Sequence, residues 1–157
     1  MAAGEGDTLQ RALFAAAGSD GSVFYALLPE DSTQITIYKL SPEGAPVSNE
    51  PLALTDDAIA VGELYADPQG GVIVVGSSGN VDADEGISGE DPFVVRLDGD
   101  LAQLWRVEDL DDIGRARAVS VIANDARVYV MGVESLNPPT FLGSSFDGDL
   151  WIAALTL

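Results

Sequence analysis

The sequence predicts an all-β fold made of three imperfect copies of a four-strand motif, the last copy lacking its fourth strand. Three observations carry that reading. Short runs rich in Val, Ile, Tyr and Phe recur along the chain between clusters of Gly, Pro, Asp and Asn. An apolar stretch, a tight turn and a second apolar stretch recur in the same order three times. No segment sustains apolar residues at i, i+3 and i+4 over three turns without Gly or Pro, apart from a short stretch near residues 109–114, so a helical reading fails.

The first strands are expected at residues 9–17, from Ala58-Ile59-Ala60-Val61-Gly62 onward, and from Ala116-Arg117-Ala118-Val119-Ser120 onward. Each leads into turn chemistry: Gly18-Ser19-Asp20-Gly21, Asp67-Pro68-Gln69-Gly70-Gly71 and Asn124-Asp125-Ala126. These hold the Gly, which tolerates positive φ, and the Asp and Asn, which bond their own backbone, that hairpin tips require. The second strands follow as Val23-Phe24-Tyr25-Ala26-Leu27, Val72-Ile73-Val74-Val75-Gly76 and Val128-Tyr129-Val130-Met131-Gly132. They are apolar at successive positions, which is how a strand covered on both faces reads.

Third strands are expected at Ile35-Thr36-Ile37-Tyr38-Lys39-Leu40, Phe93-Val94-Val95-Arg96-Leu97 and Trp151-Ile152-Ala153-Ala154-Leu155, and aligning the final leucines superposes Lys39 on Arg96. Lys39 reads as lying on a solvated strand face. Fourth strands at residues 46–54 and 101–107 follow the turns Ser41-Pro42-Glu43-Gly44 and Asp98-Gly99-Asp100. The chain thus reads as one domain over residues 1–157, with copies at about residues 8–56, 57–114 and 115–157.

Composition removes whole classes of function. With no histidine and no cysteine, Ser-His-Asp and Cys-His catalysis and the usual zinc ligand sets are excluded, and the chain reads as a non-enzyme. Lys and Arg total 7 against 26 Asp and Glu, a net charge of −19 that repels phosphate backbones, so nucleic acid is not an expected partner. No apolar run reaches the roughly 18 residues of a membrane span, so membrane insertion is not expected. Residues 1–6 lack the cationic start and apolar centre of a signal peptide, so an exported protein would carry this chain as its mature part or an excised piece of it.

Two sets of residues stand out as candidate sites. In the stretch Asn80-Val81-Asp82-Ala83-Asp84-Glu85-Gly86, oxygen ligands fall at alternate positions, Asn80, Asp82 and Asp84, as calcium loops place them. The pattern departs from an EF-hand loop: Gly86 falls at position seven, and Asp91 stands where a bidentate glutamate is needed. The ordinary reading is a solvated acidic loop between two strands, with no cofactor. Asp147 and Asp149 fall in the corresponding stretch of copy three. Phe141 and Phe146, in loop sequence, and Trp151, on the last strand, are the candidate binding aromatics.

The order Asp91-Pro92-Phe93-Val94-Val95-Arg96-Leu97-Asp98, Leu104-Trp105, Ala118-Val119 and Val128-Tyr129-Val130-Met131-Gly132 resembles bacterial β-propeller repeats of the kind labelled SBBP. The likeness covers residues 57–157 by motif and the first copy by pattern alone. It implies four-stranded antiparallel blades in a propeller-like array, and an extracellular or cell-surface bacterial protein; it carries over no functional residue. Closed propellers use roughly four to eight blades, so three copies do not close: the chain is a fragment, or two or more chains complete a ring, or the strands form an open array or another β-layered fold. The resulting expectation is a structural or protein-interaction module whose unpaired edge, residues 151–157, recruits another protein or a second copy. The alternative is a carbohydrate-binding or carbohydrate-active propeller, which needs aromatics and paired carboxylates converging on a pocket.

Overall fold

The computed structural model describes residues 11–28, 35–47, 52–54, 58–82, 86–108, 110, 116–134 and 149–156. Among these there is no helix, and the strands form three antiparallel sheets in chain order. The first sheet holds β1 (Arg11–Ala17), β2 (Val23–Leu28), β3 (Thr36–Leu40) and the two-residue β4 (Leu52–Ala53). The second holds β5 (Ala58–Ala66), β6 (Val72–Asp82), β7 (Gly86–Leu97) and β8 (Gln103–Val107). The third holds β9 (Ala116–Ala123), β10 (Arg127–Glu134) and β11 (Leu150–Thr156). Each strand pairs with its sequence neighbour, so every sheet is an up-and-down meander.

The turns form for the reasons their residues suggest. Asp67 accepts the amide of Gln69, Asn124 accepts the amides of Ala126 and Arg127, and Asp98 accepts those of Asp100 and Ala102, all at 2.9 Å. Gly71 has a φ of 95° and lies against the Leu97 carbonyl, so a Cβ there would meet both a steric and a conformational penalty. Leu101 is the one non-glycine residue at positive φ among those described, 65°, and its side chain is buried in a core that holds it there.

The sheets stack face to face with the second in the middle. On one side Val72, Val74, Phe93, Val95 and Leu97 pack with Phe24, Ala26, Ile35, Ile37 and Leu54 of the first sheet. On the other, Ile73, Val75 and Val94 pack with Ala118, Val121, Val128 and Val130 of the third. The period of two along a strand sends alternate side chains to opposite cores. Burial of each such aliphatic side chain stabilises by about 1.5–3 kcal/mol, against about 0.5–1.5 kcal/mol for a hydrogen bond, so the two cores hold the stack and the polar contacts set its register.

Those polar contacts link neighbouring sheets. The Glu63 carboxylate accepts both the Ser120 hydroxyl and the Val121 amide at 2.7 Å, tying β5 to β9. The Gln69 side-chain amide donates to the Asp125 carbonyl at 2.9 Å, joining two hairpin tips. Gly62 lets β5 approach β9 so closely that a Cβ would collide with the Ala118 carbonyl.

Lys39 departs from its expected solvated setting. Its ammonium donates to the Gly99 carbonyl at 2.8 Å, sits 5.3 Å from the centre of the Phe24 ring and lies 3.9 Å from the Asp20 carboxylate. The alternation of β3 puts it on the face that meets the second sheet, where a long stem can cross the gap. Arg96 occupies the matching position in β7, bonded to Asp67 at 2.5 Å and to Gln69 at 3.0 Å, with the Asp67 side chain wholly buried. In both sheets a third-strand cation meets the aspartate of the first hairpin tip. The third sheet has Ala154 opposite Tyr129 at that place, and its tip carries the neutral Asn124.

Two measurements check these pairs. Arg96→Ala leaves the buried Asp67 charge unpaired and is expected to destabilise the fold by about 3–5 kcal/mol in urea denaturation, while Asp67→Asn combined with Arg96→Met costs much less. The Ser22 hydroxyl and amide both donate to Asp20 and hold its carboxyl below the usual range. Since the folded value is the lower one, this contribution is present above the ordinary carboxylate range and is lost as pH falls through the depressed value. Carboxyl NMR should show Asp20 titrating below ordinary aspartates and moving upward in Ser22→Ala.

Candidate functional site

The last strand is where the molecule differs from its own repeat. In the first two sheets the third strand has a neighbour on each side: β3 lies between β2 and β4, and β7 between β6 and β8. β11 pairs with β10 from Leu150 opposite Val133 to Thr156 opposite Arg127, and no described strand pairs with its other side. An edge strand of this kind presents a row of unpaired N–H and C=O groups.

Trp151 sits against this edge. It lies opposite Gly132 on β10, and the indole occupies the space a Cβ would take there. Its ring packs half-buried on the second core, and its N–H is buried with no hydrogen-bond partner among the described residues. In the second sheet the corresponding residue is Phe93 opposite Gly76. Phe93 is fully buried, and the guanidinium of Arg106 on β8 covers its ring at 4.8 Å. The third sheet offers no described fourth strand to do the same for Trp151.

The outward side of the third sheet carries a cluster of exposed apolar side chains. Leu150 and Ile152 are 74% and 72% exposed, Ile122 is 61% exposed and Met131 41%. Cross-strand register gathers them, with Met131 beside Ile152, Val133 beside Leu150, and Tyr129 between Ile122 and Ala154. A bulge at Val119 lets Ala118 and Val121, three residues apart, both face inward while Ile122 faces out. The residue alternation of β9 alone does not reveal this face. The aligned second strands do: Val128-Tyr129-Val130-Met131 has the two-faced apolar character of Val72-Ile73-Val74-Val75 but is covered on one side only.

The other candidate residues fall elsewhere. The acidic stretch expected as a loop is instead largely hairpin, because β6 runs on to Asp82 and β7 begins at Gly86, with three intervening residues. Asn80 pairs with Ser88 and Asp82 with Gly86 on this ladder, while Asp84 lies outside the described residues. Among the described residues no three Asp or Glu side chains converge as a cation site. Phe141, Phe146 and Asp147 also lie outside the described residues. Trp105, Tyr65 and Phe24 pack on the two cores, the ordinary role of strand aromatics. Tyr25 stacks on Tyr38 with ring centres 5.2 Å apart on the outer side of the first sheet, where burial pushes its phenol upward.

A scan against models of known protein families finds no match to this chain, and a search of curated proteins finds none either.

Gly132→Ala tests the packing of the edge. The new methyl must displace the Trp151 ring or the Arg117 carbonyl, so the variant should lose about 1–3 kcal/mol in urea denaturation and red-shift the tryptophan emission.

Proposed function

We propose that this chain is a non-catalytic protein-interaction module, with sheets arranged as blades of a propeller-like array, that assembles through the open edge of β11. The single observation that carries the reading is that β3 and β7 each have a fourth strand on the side away from the second strand, whereas β11 has no described strand on that side. Such an edge binds an added strand through main-chain hydrogen bonds, with alternate side chains giving specificity. Trp151, half-buried on this strand, adds apolar surface at the same sheet.

Several features support the blade arrangement. Each sheet is a meander, successive sheets stack face to face, and the first strands lie side by side, β1 against β5 and β5 against β9. The likeness of residues 57–157 to bacterial propeller repeats points the same way, and extends to an extracellular or cell-surface setting. A charge of −19 argues against nucleic acid. No helix among the described residues is long and apolar enough to cross a membrane.

Amide hydrogen exchange at a series of protein concentrations tests the reading. Amides of β11 that point away from β10 should exchange fast in dilute solution and gain protection as concentration rises, while those bonded to β10 stay protected throughout. Uniform exchange of both sets at every concentration would remove self-assembly through this edge.

A further inference from the structure

We propose that the outer face of the third sheet docks on the outer face of the first sheet of a second copy, head to tail, so that two copies close into one ring of six sheets. The argument starts from the second strands. Phe24 and Ala26 of β2 face the second sheet, and Ile73 and Val75 of β6 face the third. The matching residues of β10 are Tyr129 and Met131, which belong to neither core. In the opposite direction, Val72 and Val74 face the first sheet, and Val128 and Val130 face the second. Their counterparts in β2, Val23 and Tyr25, likewise belong to neither core.

Both internal interfaces therefore join the same two kinds of face, one built on the second and fourth positions of the second strand and one on the first and third. Among the described residues one face of each kind is left without a partner sheet. The former carries Ile122, Met131, Leu150 and Ile152, all exposed. The latter carries Val23 beside Leu40 and Tyr25 stacked on Tyr38. What fits the third sheet's outer face is the kind of surface already docked twice within this chain, and a second copy supplies it. Ala154 stands where Lys39 crosses from the first sheet to the second, so that position of the docking face carries no cation.

A contact between unlike faces is heterologous and either closes or propagates. Two copies of a three-sheet chain give six sheets, inside the roughly four to eight of closed propellers, whereas three copies give nine. Closure rests on the blade arrangement proposed above; the face-to-face contact does not. Because each chain carries −19, self-repulsion opposes pairing, and added salt should strengthen it by screening.

The test is light scattering of the whole chain at low and high salt, alone and with charge-bearing variants of each face. Met131→Glu marks the third-sheet face and Tyr25→Glu the first-sheet face; Ile122→Glu and Leu40→Glu replace either variant whose melting curve shows it misfolded. The wild type should reach twice the 16.3 kDa chain mass and stop there. Each single variant should weaken pairing roughly a hundredfold or more. An equimolar mixture of the two variants should regain paired molecules, because one wild-type contact between opposite faces survives. That recovery is the signature of head-to-tail docking. Loss of pairing in Met131→Glu with none in Tyr25→Glu would mean like faces meet, and would overturn the proposal. A wild-type pair unaffected by either variant would overturn it while leaving the edge reading standing. Mass that keeps growing with concentration would overturn closure and the blade arrangement. A monomer under all conditions would overturn the docking and self-assembly through the edge together.

Discussion

The second sheet must be dry on both faces, and the rest of the molecule is organised around that constraint. Val72 through Val75 and Phe93 through Val95 are all fully buried, with alternate residues assigned to opposite cores. Such a sheet cannot exist alone in water: each face needs a partner sheet. The first and third sheets meet this need, and in doing so each leaves its own far side without a neighbour among the described residues. A stack of near-identical layers always ends in this way, which is why repeat proteins require specialised terminal units, closure or oligomerisation.

Polar chemistry in the stack is confined to places where it fixes geometry. Glu63 holds the bulged strand β9 through an amide and a hydroxyl, and Gln69 joins two hairpin tips. The Asp67 and Arg96 pair is buried at a junction where two turns and two sheets converge. Its net contribution is small beside that of the aliphatic cores, since desolvation offsets most of the attraction, but an unpaired member would be costly. Such contacts penalise slipped registers more than they stabilise the correct one.

Much of the fold was legible in the sequence, because its determinants are local. Turn residues such as Asp67, Gly71 and Asn124 announce hairpins, and the two-faced apolar run at Val72 announces a covered strand. Less was legible where the outcome depends on what stands opposite. Lys39 on a strand looks solvated until the alternation of β3 against Phe24 is fixed, and only then does its ammonium fall beside the Gly99 carbonyl of the next sheet. The acidic run from Asn80 looked like a loop because Asp and Asn are poor strand formers, but pairing with residues 86–88 carries β6 and β7 on as one ladder. The exposed face of the third sheet was hidden by the bulge at Val119, which breaks the alternation on which a reading of faces relies. That the third sheet has three described strands, where the others have four, agrees with the count of strands in each copy.

Lys39 is the only lysine in the chain, and its amine is held between the first and second sheets, 12% exposed and bonded to Gly99. An amine-reactive reagent therefore reaches this nitrogen most readily when the two sheets part, since it is otherwise sheltered and held by the Gly99 carbonyl. The labelling rate at Lys39 becomes a clock for one specific separation inside the molecule, with no competing side-chain amine to obscure it.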